Sequence, residues 1–371
     1  MPVFLLAPDS FKGTLSAKEV CGIFARALSA RFPGAVIRAI PMADGGEGMT
    51  ESCLTLLGGR QVTRTVTGPQ GVPVKAVYGI LPDKTAVIEM AAAAGLPLVR
   101  GKNDIFRTTT RGVGELLLDA AARGASSVIL GLGGSATNDC GLGMADVLGF
   151  TFTNHMGHAV PPLALHLGDI AAIRPPERSF PLKVRAACDV SNPLCGPNGA
   201  VAVFAPQKGA APEDASALER GALSFSRVLN VFCERDVTAA PGAGAAGGLG
   251  AAAAAFLGAE LLPGAELLLD AADFDGLLAN ADAVFTGEGR MDGQTKLGKV
   301  PYTVGMRCKA AGVPCYALCG SLGAGAEALS ACGITAMYAA SSEITDPETL
   351  RRRAASDLAA LARRVADTLS F

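Results

Sequence analysis

Seven carboxylates and five cations stand in glycine-rich segments of this chain: Asp9, Asp44, Glu47, Asp139, Asp189, Glu288 and Asp292, beside Lys12, Lys208, Arg290, Lys296 and Lys299. Phosphoryl transfer asks for this mixture. One carboxylate orients or deprotonates the attacking hydroxyl, others hold Mg²⁺, and Lys or Arg neutralises the moving phosphoryl group. Any one of these acids alone reads first as a turn or cap residue. Their shared placement makes the case. Each of five short apolar runs ends in such a segment: Val3 to Ala7, Val36 to Ile40, Val128 to Leu130, Val184 to Cys188 and Ala283 to Thr286. In an open α/β sheet, ligands collect beyond the carboxyl ends of the strands.

The segment after Val128 to Leu130 is the most informative. It reads GLGGSATND over residues 131–139. Gly131, Gly133 and Gly134 let the backbone turn and approach a ligand. Ser135, Thr137 and Asn138 add hydroxyl and amide groups at a strand-to-helix turn, where backbone N–H groups favour an anion. Gly133 to Asn138 are therefore expected to contact ligand through backbone N–H.

The elements that position these loops follow from periodicity. The first 60 residues read β-α-β-α, with Ser16 and Glu19 forming a capping box and Val20, Ile23, Phe24, Ala27 and Leu28 one apolar stripe. The last third repeats the alternation: strands at 283–286, 313–319 and 335–340, and helices at about 295–311 and 325–331. A last helix starts at Asp346 and Pro347, its buried stripe being Leu350, Ala354, Leu358, Leu361 and Val365. Val62 to Ile80 reads as a hairpin around Gly68 to Gly71, Ala86 to Met90 as a strand, and one helix lies near 215–235. The expected fold class is α/β with two domains. A doubly wound domain is built from both chain ends, 1–62 plus 278–371. A second α/β domain, 63–277, is inserted between them, and 126–150 fits either. A cleft between such domains commonly brings substrate and nucleotide together.

Bulk properties exclude several classes. The 371 residues carry 34 acids against 32 bases, and no basic tract, so nucleic acid is not an expected partner. No apolar run reaches the ~20 residues that span a bilayer, and no signal peptide is read at the start. Ten scattered cysteines without a CxxC pair suit reduced thiols and a cytoplasmic protein. His155 and His158 lie near Pro161 and Pro162 without a partner cysteine, so a structural metal is not expected. Residues 242–247 match GxGxxG in letters, but Pro241 precedes them where a strand is needed, which favours a tightly packed glycine-rich helix start over a dinucleotide site. No GxxxxGK followed by Ser or Thr occurs, and no GxSxG elbow.

Nine blocks of this sequence resemble the type I bacterial glycerate kinases: DSFKG at 9–13, PMADGGEG at 41–48, VTGP at 66–69, IEMAA at 88–92, GLGGSATND at 131–139, CDV at 188–190, PQKGA at 206–210, GAGAAGGLG at 242–250 and TGEGRMDGQT at 286–295. The similarity runs through essentially the whole chain in order. It implies ATP- and Mg²⁺-dependent phosphorylation of D-glycerate, feeding glycolysis from glyoxylate, glucarate or galactarate breakdown, and a flavodoxin-like domain with an inserted α/β domain. Three positions depart from the pattern: Cys140 where small residues such as Gly are usual, Ala205 for a glycine and Met49 for a threonine. On this reading Asp189, beside Ser191 and Asn192, is the base or orienting carboxylate for the glycerate hydroxyl. Asp44, Glu47 and Asp292 are the Mg²⁺ candidates. Lys12 and Arg290 serve phosphate, Arg290 alternatively gripping the glycerate carboxylate. Asp9, Ser10, Lys208 and Glu288 complete the substrate and nucleotide contacts. The resemblance leans to 2-phosphoglycerate, although both hydroxyls are chemically competent and no residue decides between them. A small hydroxy-acid dehydrogenase and a non-catalytic metabolite sensor are the other classes the residues leave open. Oligomeric state is not readable from the residues.

Overall fold

The computed structural model describes residues 1–43, 45–46, 48–341 and 346–370, the side chains of Leu297 and Pro347 aside. The chain forms two compact units. Unit 1 comprises 1–44, 51–57 and 263–371; unit 2 comprises 45–50 and 58–262.

Unit 1 carries a five-stranded, all-parallel sheet in the order Ala336–Ala339, Cys315–Cys319, Ala283–Thr286, Val3–Leu6, Val36–Ala39. Numbered along the unit, that is 2-1-3-4-5, the flavodoxin-like order, in which the winding reverses between Val3–Leu6 and Ala283–Thr286. Both of these strands are almost wholly buried, as parallel strands covered on two faces must be. Phe4 meets Phe32 and Phe285 edge-on, with centroids 5.4 and 5.7 Å away. The helix Ala17–Arg31 begins at the expected capping box: Ser16 N donates to Glu19 Oε2 at 2.8 Å and Glu19 N returns a bond to Ser16 Oγ at 3.3 Å. It packs on the last helix, Pro347–Thr368, whose N-terminus is capped by the Asp346 carboxylate. Leu358, Leu361 and Val365 of the expected stripe are buried, but Leu350 is exposed because it lies in the first turn.

Unit 2 carries a six-stranded mixed sheet in the order Glu260–Leu262, Lys183–Ala187, Ser127–Gly131, Thr85–Glu89, Pro73–Ile80, Arg60–Thr67. The first four are mutually parallel, and the last two form an antiparallel hairpin closed at Gly68 to Val72. Only Val62 and Val66 are fully buried on the edge strand Arg60–Thr67, whereas Val128 to Gly131 are buried throughout. The segment 126–150 thus belongs to unit 2. The helices Gly264–Ala271 and Phe274–Leu278, expected in the insertion, belong to unit 1. Arg307, on the helix Val300–Ala311, ties them there through Glu266, Asp270 and Asp275. No helix among the described residues is long and apolar enough to cross a membrane.

Candidate functional site

In unit 1, Val3–Leu6 and Ala283–Thr286 lie side by side and in parallel, so the loops that follow them emerge at the same end of the sheet. Asp9 N donates to the Gly287 carbonyl at 2.8 Å, and Ser10 N donates to the Asp9 carboxylate at 2.7 Å. Gly289 lies so near Phe11 that an added Cβ would sit 3.4 Å from the Phe11 Cα. Glu288 is 7% exposed and accepts from Thr295 Oγ1 at 2.7 Å and from Lys299 Nζ at 3.4 Å. Burial pushes the Glu288 carboxyl up, opposed by those two bonds and by the positive charges of Lys299 and Lys12. Arg290 is exposed, with its Nε 3.4 Å from Asp292 Oδ2, and Gln294 N donates to Asp292 Oδ1 at 2.9 Å. The structure therefore groups Asp9, Ser10, Lys12, Glu288, Arg290 and Asp292 on two adjoining loops of one sheet. Lys299 joins them. Lys296 is exposed on the short turn Thr295–Leu297.

In unit 2, Thr85–Glu89, Ser127–Gly131 and Lys183–Ala187 are parallel neighbours ending at one edge. Glu89, which was not among the expected site residues, accepts from Gly48 N at 3.3 Å and Thr50 N at 2.7 Å at the start of the helix Met49–Leu57. The Gly45–Gly46 backbone presses on the neighbouring turn. Gly133 N donates to the Gly45 carbonyl at 3.3 Å, and a Cβ on Gly133 would come within 2.5 Å of the Gly46 Cα. Asp44 and Glu47, two of the three metal candidates, lie outside the described residues. Asp189 follows the neighbouring strand and is half-buried, in a loop fixed by Cys188 N on the Leu262 carbonyl and Gly244 N on the Asn192 carbonyl.

The turn 131–139 is braced from several sides. Leu96 N donates to the Gly134 carbonyl and Ala136 N to the Ala94 carbonyl, while Gly134 uses the left-handed conformation at φ 75°. Among the described residues, Thr137 Oγ1 and both polar atoms of the Asn138 amide are buried without a hydrogen-bond partner. Buried polar side chains are ordinarily paired, so an amide left open at both ends marks a place for a polar ligand or water. Two other side chains first read as chemical prove internal. Asp139 is 0% exposed and takes four hydrogen bonds, from Thr110 N, Thr110 Oγ1, Gly141 N and Gly143 N. Burial nevertheless pushes its carboxyl up. Lys208 is 2% exposed and donates from Nζ to the Thr137 carbonyl at 2.8 Å. Neither side chain is open to solvent.

The glycine-rich stretch at 242–250 packs on the same turn. Cys140 N donates to the Gly247 carbonyl, and a Cβ on Gly247 would lie 2.1 Å from the Thr137 carbonyl oxygen. Ala246, Gly247 and Gly248 are all left-handed at the head of the helix Ala245–Phe256. This is the tight helix start expected from Pro241. Cys140 is also left-handed, at φ 48°, a conformation that costs a side-chain-bearing residue and suits Gly. Among the described residues, no three His, Cys, Asp or Glu side chains cluster as a metal cage.

Unit 1 thus presents acids and cations at a switch point, and unit 2 presents a glycine turn, an open amide and a carboxylate at a common strand edge. The model of the Glycerate kinase family matches residues 4–370. A glycerate kinase of Halalkalibacterium halodurans is 42% identical, covering 100% of this chain and 99% of its own. A glycerate 2-kinase of Escherichia coli K12 is 40% identical over 99% of this chain and 98% of its own. A crystal structure of a Salmonella typhimurium LT2 protein assigned as glycerate kinase 2 superimposes with a TM-score of 0.86 at 39% identity, covering 99% and 98% of the two chains. The chain belongs to the glycerate kinase family.

Proposed function

We propose that this kinase transfers the γ-phosphoryl group of ATP, delivered as its Mg²⁺ complex, to the 2-hydroxyl of D-glycerate in the cytoplasm. The observation that carries the reading is the pair Thr137 and Asn138, whose side-chain polar atoms are buried without a hydrogen-bond partner among the described residues, on the turn next to the Asp189 loop. A hydroxy acid or a phosphate supplies the donors and acceptors that this pair lacks. Asp189 is assigned as the base or orienting carboxylate for the attacking hydroxyl. Backbone N–H groups of Gly134, Ser135, Thr137 and Asn138 receive negative oxygen, the Gly133 N–H being taken by the Gly45 carbonyl. Lys12 and Arg290 neutralise phosphoryl charge, with Asp9, Ser10 and Glu288 setting the loop that carries Lys12. Mg²⁺ arriving on ATP needs only one or two protein carboxylates besides the phosphates. Asp292 is the described candidate, with Asp44 and Glu47 beside it in the assignment. Among the described residues the ten cysteines form no disulfide, which supports a reducing compartment. Transfer to the 2-hydroxyl is supported by the name of the Escherichia coli relative.

Purified protein with ATP, Mg²⁺ and D-glycerate, followed by phosphorus NMR, tests this directly. A phosphate on C2 couples to one carbon-bound proton and gives a doublet; one on C3 couples to two and gives a triplet. A triplet would overturn the regiochemistry, and no ADP formation would overturn the reaction. Arg290→Lys separates two roles for that side chain, since Lys keeps the charge but not the bidentate fork. We expect a rise in the KM for ATP, as for a phosphate contact. A rise confined to the KM for glycerate would move Arg290 to the carboxylate.

A further inference from the structure

We propose that Lys208 is a positioning residue, which aims the peptide N–H groups of Thr137 and Asn138 at substrate by holding the carbonyl on their buried side. This deepens, and rests on, the reading that the turn 133–138 contacts substrate. The C=O and N–H of one trans peptide point in opposite directions. Lys208 Nζ takes the Thr137 carbonyl at 2.8 Å, and the Asn103 amide takes the preceding Ala136 carbonyl at 3.1 Å. Two successive peptides are therefore fixed with their oxygens inward, so their N–H groups face the other way. The same Asn103 amide bonds the Lys208 carbonyl at 2.7 Å, which locks the lysine backbone to the turn it supports.

The site is built for a lysine that touches no substrate. It is 2% exposed, and the charged or titratable groups that act on it are Asp139 and Cys140. The Asp139 carboxylate is already occupied by four donors, so Lys208 is not required to satisfy it. Burial holds the Lys208 ammonium down at about 7, from an ordinary 10.5. Holding a charge there works against stability, so its retention asks for a reason outside stability.

Three variants of the full chain test the inference. Lys208→Met fills the volume without a donor, and its melting temperature at pH 7 should hold within a few degrees. Its kcat/KM for D-glycerate should fall roughly 10- to 100-fold, the range for one lost charged hydrogen bond. Lys208→Gln, which keeps an N–H for the carbonyl, should recover at least part of that loss. Asn138→Ala should also lower kcat/KM, because it removes a group of the turn itself. A second readout does not involve activity. Between pH 7 and 10 the unfolded wild type binds a proton that the folded protein does not, so its stability should rise with pH relative to Lys208→Met. Lys208→Met within threefold of wild type, Lys208→Gln no better than Met, or a flat difference across that pH range would each overturn the proposal. If Asn138→Ala were also silent, the reading of the turn as a substrate contact would fall with it. A silent Lys208→Met beside an impaired Asn138→Ala would sink the positioning role alone.

Discussion

Asp189→Asn is expected to lower turnover with D-glycerate and ATP by at least about 10²-fold, because a positioned base is worth roughly 10²–10⁴. The substitution keeps the shape of the side chain and one acceptor oxygen, and it removes the negative charge and the capacity to take a proton. The Asp189 loop is held by backbone bonds at Cys188 and Asn192, and by the Asn192 amide on the Asn198 carbonyl at 2.8 Å. Melting temperature should therefore stay within a few degrees of wild type, and both KM values should change far less than kcat. Steady-state kinetics over pH, with thermal unfolding on the same samples, checks both halves. Turnover within tenfold of wild type would remove Asp189 from the chemistry, leaving a residue that shapes its loop. A parallel fall in melting temperature would reassign the loss to folding.

What the sequence disclosed and what it hid divide along the range of the interactions. Strands ending in glycine loops, the Ser16 and Glu19 capping box and the hairpin at Gly68 to Val72 are local, and each stands where its residues predicted it. The alternation of strands and helices pointed to a doubly wound unit, but the order of its strands is set by pairings between the two chain ends that no local pattern records. Burial was not legible. Asp139 and Lys208 carry the residue types of a phosphate site and follow the right kinds of segment, yet both point inward. Lys208 meets Thr137 across 71 residues of sequence, and Asp139 meets Thr110 across 29. Nothing local records those pairings. Glu89 was visible only as part of a block that resembled a family, since its partners Gly48 and Thr50 lie about 40 residues earlier. Cys140 shows the reverse case. Its departure from the small residues usual there was readable in the sequence, and its left-handed backbone was not.

Asp139→Ala separates an internal acid from a chemical one, and its effect should fall on stability. The carboxylate joins three places: the Thr110 residue that opens the helix Arg111–Ala122, the Gly141 and Gly143 amides at the start of Leu142–Val147, and the end of the turn 131–139. Removing it leaves buried donors facing a small cavity. An unsatisfied buried donor costs about 1–3 kcal/mol, so even with a water satisfying two of the four, the loss is about 2–6 kcal/mol. For a unit of this size each kcal/mol moves the midpoint by roughly 2–4 °C, which gives a fall on the order of 4–24 °C. Thermal unfolding followed by circular dichroism measures it. The turn should loosen at the same time, since Asp139 closes the segment that begins at Gly131, so activity should fall at temperatures where most of the protein is still folded. A catalytic acid would give the opposite pattern, a large kinetic loss with an unchanged midpoint. That outcome would mean the four donors leave the carboxylate free to leave its buried position during turnover, and the inward orientation of Asp139 would have to be abandoned as its working state.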